Sequence, residues 1–194
     1  MIQEKNKIAH IVVDMLYDFI DGTLACYNAQ DAVKESVKFI NDNPIHMVIY
    51  VCDSHPNNHC SFAESGGIWP PHCVAGTKGS QVHESFYNQI TLPDARPSSN
   101  NILRKGEDPN FEQYSGFQAI TEKGETLLKH LQDNNVENVF VSGIATEFCV
   151  NETVKDLKNA GFKVTVIGKA LAYVDYNGHK KTLEEFKKMG VKII

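Results

Sequence analysis

The sequence predicts a three-layer α/β/α sandwich around a central parallel sheet. Two observations predict it. Short, almost wholly apolar runs alternate with amphipathic stretches of helical period along most of the 194 residues. The apolar runs also lack the in/out alternation of a sheet with one wet face, so they are read as strands covered on both sides. Right-handed crossovers then stack the helices in two outer layers.

The elements follow in order. Residues 8–13 form a buried strand ending at Asp14, and residues 29–41 a helix. Residues 46–52 are a second strand, with Asp53 just past its end. Residues 101–103 make a short strand that leads to Arg104 and Lys105. Residues 121–134 are amphipathic, with Leu127, Leu128 and Leu131 on one side. A strand over 138–141 runs into Gly143. The next helix spans about 146–160, with Thr146 as N-cap and Gly161 as its stop. A strand at 163–167, a helix over about 179–189 and a strand at 191–194 complete the chain. The reading is one domain over 1–194, interrupted by a long loop at about 53–100 that is rich in His, Pro, Gly and Ser. Loops of that length in compact domains are often functional.

Composition narrows the function. A net charge of −5 without a basic run argues against nucleic acid as a partner. No stretch reaches the roughly 18 apolar residues of a membrane helix, and the N-terminus has no signal-peptide pattern. Five irregularly spaced cysteines fit free thiols in a reducing compartment. A cytoplasmic enzyme is the expectation.

Three polar residues fall at the carboxyl ends of strands, where open α/β sheets bind ligands: Asp14, Lys105 and Cys149. Cys149 is expected in the first turn of its helix, where unpaired N–H groups and the helix dipole favour a thiolate. A carboxylate, an ammonium and a thiol together suit acyl transfer through a thioester. Asp14 would act as general base, and the backbone N–H groups of Ala145 and Cys149 would receive the oxyanion. Taken singly, Asp14 reads equally well as a strand-end cap, Lys105 as a surface charge and Cys149 as an inert core thiol.

The loop supplies a second cluster. Asp53 and His55 are two residues apart at a strand end, so they share a face. His72 returns behind Pro70 and Pro71, and Glu64 or His59 could add a ligand directly or through water. One carboxylate and two imidazoles with open positions suit a single divalent metal: zinc first, with iron or manganese as alternatives. A structural zinc knot from Cys52, Cys60, His72 and Cys73 lacks CxxC spacing, and Cys52 points away from Asp53's face. Phe19, Trp69 and Tyr114 each lie near one of these polar residues in sequence and could wall a slot for a flat ring.

Together these stretches resemble the nicotinamidase/pyrazinamidase branch of the isochorismatase-like cysteine hydrolases. The resemblance is carried by VVDMLYDF (12–19), VCDSHP (51–56), WPPHCVAGTKGS (69–80), RKG (104–106), YSGF (114–117) and VSGIATEFCV (141–150). Leu16 departs from it, since many members have glutamine there. The resemblance implies an isochorismatase-like fold, Asp14, Lys105 and Cys149 as catalytic triad, and Asp53, His55 and His72 as metal ligands, with Glu64 or His59 joining in some members. It implies Phe19, Trp69 and Tyr114 around the substrate, and a cis Ile144–Ala145 peptide. It further implies deamidation of nicotinamide, and of pyrazinamide, within NAD salvage. Relatives of this kind occur as monomers, dimers and larger assemblies, so homo-oligomers remain open. The competing readings are a metal-free sibling acting on isochorismate, carbamoylsarcosine or a ureido acid, and a non-catalytic metal-binding protein.

Overall fold

A computed structural model of the chain describes residues 8–45 and 47–194. Six strands form one parallel sheet: β1 (Ile8–Val13), β2 (Val48–Asp53), β3 (Ile102–Lys105), β4 (Asn138–Gly143), β5 (Lys163–Leu171) and β6 (Lys192–Ile193). Their order is β3-β2-β1-β4-β5-β6. The chain winds outward from β1 to β3, then returns beside β1 and winds the other way. This reversal opens a crevice at the carboxyl ends of β1 and β4, the place where such sheets bind ligands.

Alternate strand residues face opposite layers. Ile11, Val13, Val51 and Val141 pack on one side with Leu131, Val154, Leu157 and Phe186. Those last four come from helices α4 (Leu127–Asp133), α5 (Asn151–Asn159) and α6 (Tyr176–Lys188). Val12, Tyr50 and Cys52 pack on the other side with Val33, Val37 and Ile40 of helix α2 (Ala29–Asp42) and with Phe86. Under α2 lies a buried polar thread. His10 Nε2 is 2.9 Å from Ser142 Oγ, which is 2.8 Å from Ser36 Oγ.

Several boundaries differ from the sequence expectation, each for a local reason. The helix expected over 121–134 begins only at Leu127, capped by Thr126, whose Oγ1 accepts from the Lys129 N–H at 3.2 Å. The preceding residues form a turn instead. Thr121 Oγ1 accepts from the Glu125 N–H, and Gly124 takes φ +79°. β3 continues through Arg104 and Lys105, because Asp53 pairs with Lys105 in the parallel register. β5 runs four residues beyond expectation, past a register shift opposite Val141 and Gly143. α6 starts at Tyr176 rather than His179, because Asp175 caps it by accepting from the Gly178 N–H at 2.6 Å. The expected start of the second strand at His46 lies outside the described residues.

The loop after β2 is ordered by short turns, Ala63–Ser65, Lys78–Ser80 and Pro93–Ala95, and by a four-residue helix at Ser85–Asn88. No helix among the described residues is long and apolar enough to cross a membrane.

Candidate active site

Parallel pairing sets Asp14, Asp53 and Lys105 side by side at the strand ends. Lys105 is almost wholly buried. Its Nζ lies 3.0 Å from Asp14 Oδ2, donates to Asp53 Oδ1, and sits 3.6 Å from Cys149 Sγ. The Gln113 carbonyl accepts from it at 3.3 Å. Burial alone would depress the ammonium's pKa, but the two carboxylates outweigh burial and hold it well above lysine's ordinary range. Asp14 takes φ +49°, turning the chain out of β1, and its Oδ1 accepts from the Asp53 N–H at 2.9 Å. Burial, with the charge of Asp53, raises its pKa to about 6. Asp53 moves the other way. Burial favours its neutral form, yet Lys105 and His55 keep its carboxyl below the usual carboxylate range.

Cys149 does not sit on an ordinary first α-turn. Thr146–Val150 is a single π turn leading into α5. Nor does Thr146 cap it: its hydroxyl donates to the Ala172 carbonyl at 2.9 Å. The thiol lies beside Asp14, with Sγ and a carboxylate oxygen within 4.8 Å of each other. Burial raises its pKa well above the ordinary value despite Lys105, with Asp14 and Asp53 adding to the rise. Burial thus opposes the helix terminus and Lys105 at this thiol, and the Asp14 carboxylate lies beside it. Ala145 and Cys149 both line the pocket, and the Ile144–Ala145 peptide is cis.

Beside this cluster, the ligand atoms of Asp53, His55 and His72 lie within 4.8 Å of one another. Each imidazole is oriented through its other nitrogen. His55 Nδ1–H donates to the Gly106 carbonyl at 2.9 Å, and His72 Nδ1–H donates to the Pro70 carbonyl at 2.8 Å. In the neutral imidazoles each Nε2 is then the acceptor, the form a metal requires. His55 Nε2 is 3.5 Å from Asp53 Oδ2. The residues present thus fit one divalent ion held by two nitrogens and a carboxylate oxygen.

Neither Glu64 nor His59 has a ligand atom in this 4.8 Å cluster. Glu64 is exposed on its short turn. His59 is fully buried with both nitrogens engaged: Nε2–H donates to the Phe111 carbonyl at 3.2 Å, and Nδ1 is 2.7 Å from Ser61 Oγ. Its ring stacks on His55 at 4.1 Å between centroids.

The pocket above Cys149 is narrow and aromatic. Phe19, on the short helix Tyr17–Ile20, lies 5.4 Å from the His72 ring. Trp69 Nε1–H donates to Tyr114 Oη at 3.2 Å. Both rings close on Phe148, at 5.2 and 5.6 Å between centroids. Tyr114 is held through its neighbours, since Ser115 Oγ donates to Asp156 and the Gly116 N–H donates to Thr153 Oγ1 at 2.8 Å. Sequence reasoning missed Phe148 and Glu112 in the lining. The position of Phe148 next to Cys149 was the available signal, but only the π turn aims its ring at Trp69.

The chain is similar to several known proteins. An isochorismatase domain model matches residues 103–194. The nicotinamidase/pyrazinamidase of Mycobacterium tuberculosis is 30% identical over 96% of this chain and 97% of its own. A pyrazinamidase of Pyrococcus horikoshii, solved in complex with zinc, superimposes with a TM-score of 0.81 at 33% identity, covering 97% of this chain and 98% of that one. A protein of L. infantum solved with nicotinate superimposes at 0.84 with 30% identity, over 96% and 91% of the two chains. With similarity running over nearly the whole length of both chains, the chain belongs to the nicotinamidase/pyrazinamidase branch of the isochorismatase-like hydrolases.

Proposed function

We propose that this chain is a metal-dependent amidohydrolase that converts nicotinamide to nicotinate and ammonia through a thioester on Cys149. The observation that carries the reading is convergence. One pocket is lined by Cys149, by the walls of Phe19, Trp69 and Tyr114, and by Asp53 and His72, which His55 joins in the metal-ligand cluster. In this reading a flat heteroaromatic ring lies in that slot, with its carboxamide toward the thiol. A zinc-bound pyrazinamidase and a nicotinate-bound protein among the structural relatives support the metal and the substrate class.

The chain's own residues account for the chemistry. Asp14 takes the thiol proton as Sγ attacks the carboxamide carbon. Backbone N–H groups of Ala145 and Cys149 receive the oxyanion. Asp14 then gives the proton to the leaving nitrogen, which departs as ammonia. A water deprotonated by Asp14 attacks the thioester, and the proton returns to sulfur as nicotinate leaves. Lys105 holds the anionic states of Asp14 and Cys149 by charge. Asp53, His55 and His72 would hold a divalent ion, zinc first, which supplies an anchor for the ring nitrogen and so orients the carboxamide. The whole chain acts as one domain, with the loop at about 53–100 as its metal-binding insertion. The product would feed pyridine salvage toward NAD in the cytoplasm.

The test is ammonia release from nicotinamide by the zinc-loaded protein, with Cys149→Ala beside it. Release by wild type that vanishes in the variant supports the thioester route. Activity retained by Cys149→Ala, or none in metal-replete wild type, defeats it. The second outcome would turn the search to ureido and carbamoyl amides.

A further inference from the structure

Asp18 contributes nothing to the pocket lining and has no task in the mechanism above. Its carboxylate nevertheless grips the backbone beside the metal-ligand cluster. Oδ2 accepts from the Cys73 N–H at 2.8 Å, and Oδ1 accepts from the Thr23 N–H at 3.3 Å. Cys73 directly follows His72 and takes φ +48°, a left-handed conformation that a side chain other than glycine holds only when its surroundings enforce it. Its carbonyl accepts from the His55 N–H at 3.0 Å. One residue therefore joins both histidines, and Asp18 is bonded to it.

A second tie runs in parallel. Thr23 Oγ1 donates to the carbonyl of Pro71, the residue before His72, at 2.8 Å. The peptide units on both sides of His72 are thus fastened to one short segment, residues 18–23. That segment also carries Phe19, whose ring faces His72 at 5.4 Å.

Space for the Asp18 carboxylate is made by two glycines. A Cβ on Gly79 would fall 1.9 Å from Asp18 Oδ2, and one on Gly22 would fall 2.4 Å from Oδ1. Neither glycine has a left-handed φ. At Gly79 all three nearest atoms belong to the Asp18 carboxylate, so room for that group is what the position requires, whereas at Gly22 the Asp18 Cα also lies within 2.6 Å.

We propose that Asp18 and Thr23 are positioning residues that clamp both sides of His72 and so set the metal-ligand geometry. This rests on the reading of Asp53, His55 and His72 as the metal ligands. Two oxygens facing two N–H donors is an arrangement asparagine cannot copy, because its NH2 must then meet one of those donors.

The experiment measures zinc affinity of the metal-free protein by competition with a chromophoric chelator, for wild type, Asp18→Asn, Thr23→Val, Gly79→Ala and His72→Ala. Unfolding midpoints and the alkylation rate of Cys149 in the metal-free proteins are followed alongside. Asp18→Asn and Gly79→Ala should weaken zinc by about tenfold or more, and Thr23→Val by severalfold, the scale of other contacts that orient metal ligands. Cys149 alkylation should stay within about twofold of wild type, which separates loss of metal geometry from a general loosening of the fold. Zinc affinity unchanged in Asp18→Asn and Thr23→Val, while His72→Ala loses the metal, overturns the clamp alone. Zinc retained by His72→Ala overturns the ligand reading on which the clamp rests. Should Asp18→Asn not fold, the exposed Thr23 and the Gly79 variant decide the matter.

Discussion

Asp53 and Lys105 form a buried ion pair that joins the two halves of the site. One oxygen of Asp53 accepts from the Lys105 ammonium, and the other faces His55 Nε2 at 3.5 Å. The carboxylate that would hold a metal is therefore also one of the two that keep Lys105 charged. Asp53→Asn leaves Lys105 with Asp14 alone in a buried environment. Breaking such a pair costs about 3 kcal/mol of stability, measurable by urea unfolding. The thiol gives a sharper readout. Asp53 raises the Cys149 pKa, so its removal should lower that pKa and speed alkylation of the metal-free protein, even as turnover is lost. His72→Ala, which leaves the ion pair intact, should not. An equal or slower rate in Asp53→Asn would contradict this link between ion pair and thiol.

Gly106 is required by both space and conformation. Its φ is +73°, and a Cβ there would meet His55 Cε1 at 2.4 Å. Its carbonyl also fixes the His55 tautomer. Gly106→Ala should lower zinc affinity by about tenfold or more. Strain at the left-handed position should cost about 1–3 kcal/mol. Chelator competition and urea unfolding check the two effects separately. Unchanged zinc affinity would mean that His55 tolerates displacement.

Much of the site was legible because parallel strands announce their ends. An apolar run that stops at Asp14, Asp53 or beside Lys105 delivers a polar side chain to the ligand-binding edge of the sheet, and the register of β2 with β3 does the rest. What stayed illegible depends on contacts far apart in sequence. His59 has the right residue type beside the right partner, yet its Nε2 is taken by the carbonyl of Phe111, 52 residues on. Thr146 reads as an N-cap until the Ala172 carbonyl claims its hydroxyl. The π turn that aims Phe148 at the pocket leaves no periodic mark in five residues. The charge balance at Cys149 was only partly legible for a related reason. The helix terminus and Lys105 favour a thiolate, but burial beside Asp14 and Asp53 was not visible until the strands were assembled.

Activity should fall in acid through Asp14. As a general base it works only when deprotonated, and burial with the Asp53 charge raises its pKa to about 6. Below that pH, kcat/KM should drop by about tenfold per unit. A metal on Asp53 withdraws part of the charge that raises Asp14, so the inflection of the loaded enzyme should lie at about 6 or lower. A profile flat from pH 7 down to 4 would remove Asp14 from the role of base.

Stability should carry a separate acid signature from His10, remote from the chemistry. Its ring is buried edge-on against Phe39, 5.4 Å between centroids. Nε2 meets Ser142, while Nδ1 has no hydrogen-bond partner among the described residues. A proton there would add a buried, uncompensated charge, and burial lowers the pKa from 6.5 to about 3. Between those values the unfolded chain binds a proton that the folded chain refuses. The contribution is therefore fully present above pH 6.5 and is lost as the pH falls toward 3. Asp14 acts oppositely. Its folded value of about 6 exceeds the ordinary 3.8, so acid favours the folded state over that window and masks the histidine. His10→Gln separates them. Whatever glutamine costs in packing is independent of pH. The stability of wild type relative to the variant should fall by about 2–3 kcal/mol between pH 7 and pH 4.5, at about 1.4 kcal/mol per unit below 6.5. Urea unfolding of both proteins at the two pH values gives the difference directly, and a difference that does not change with pH would show that His10 accepts a proton without unfolding.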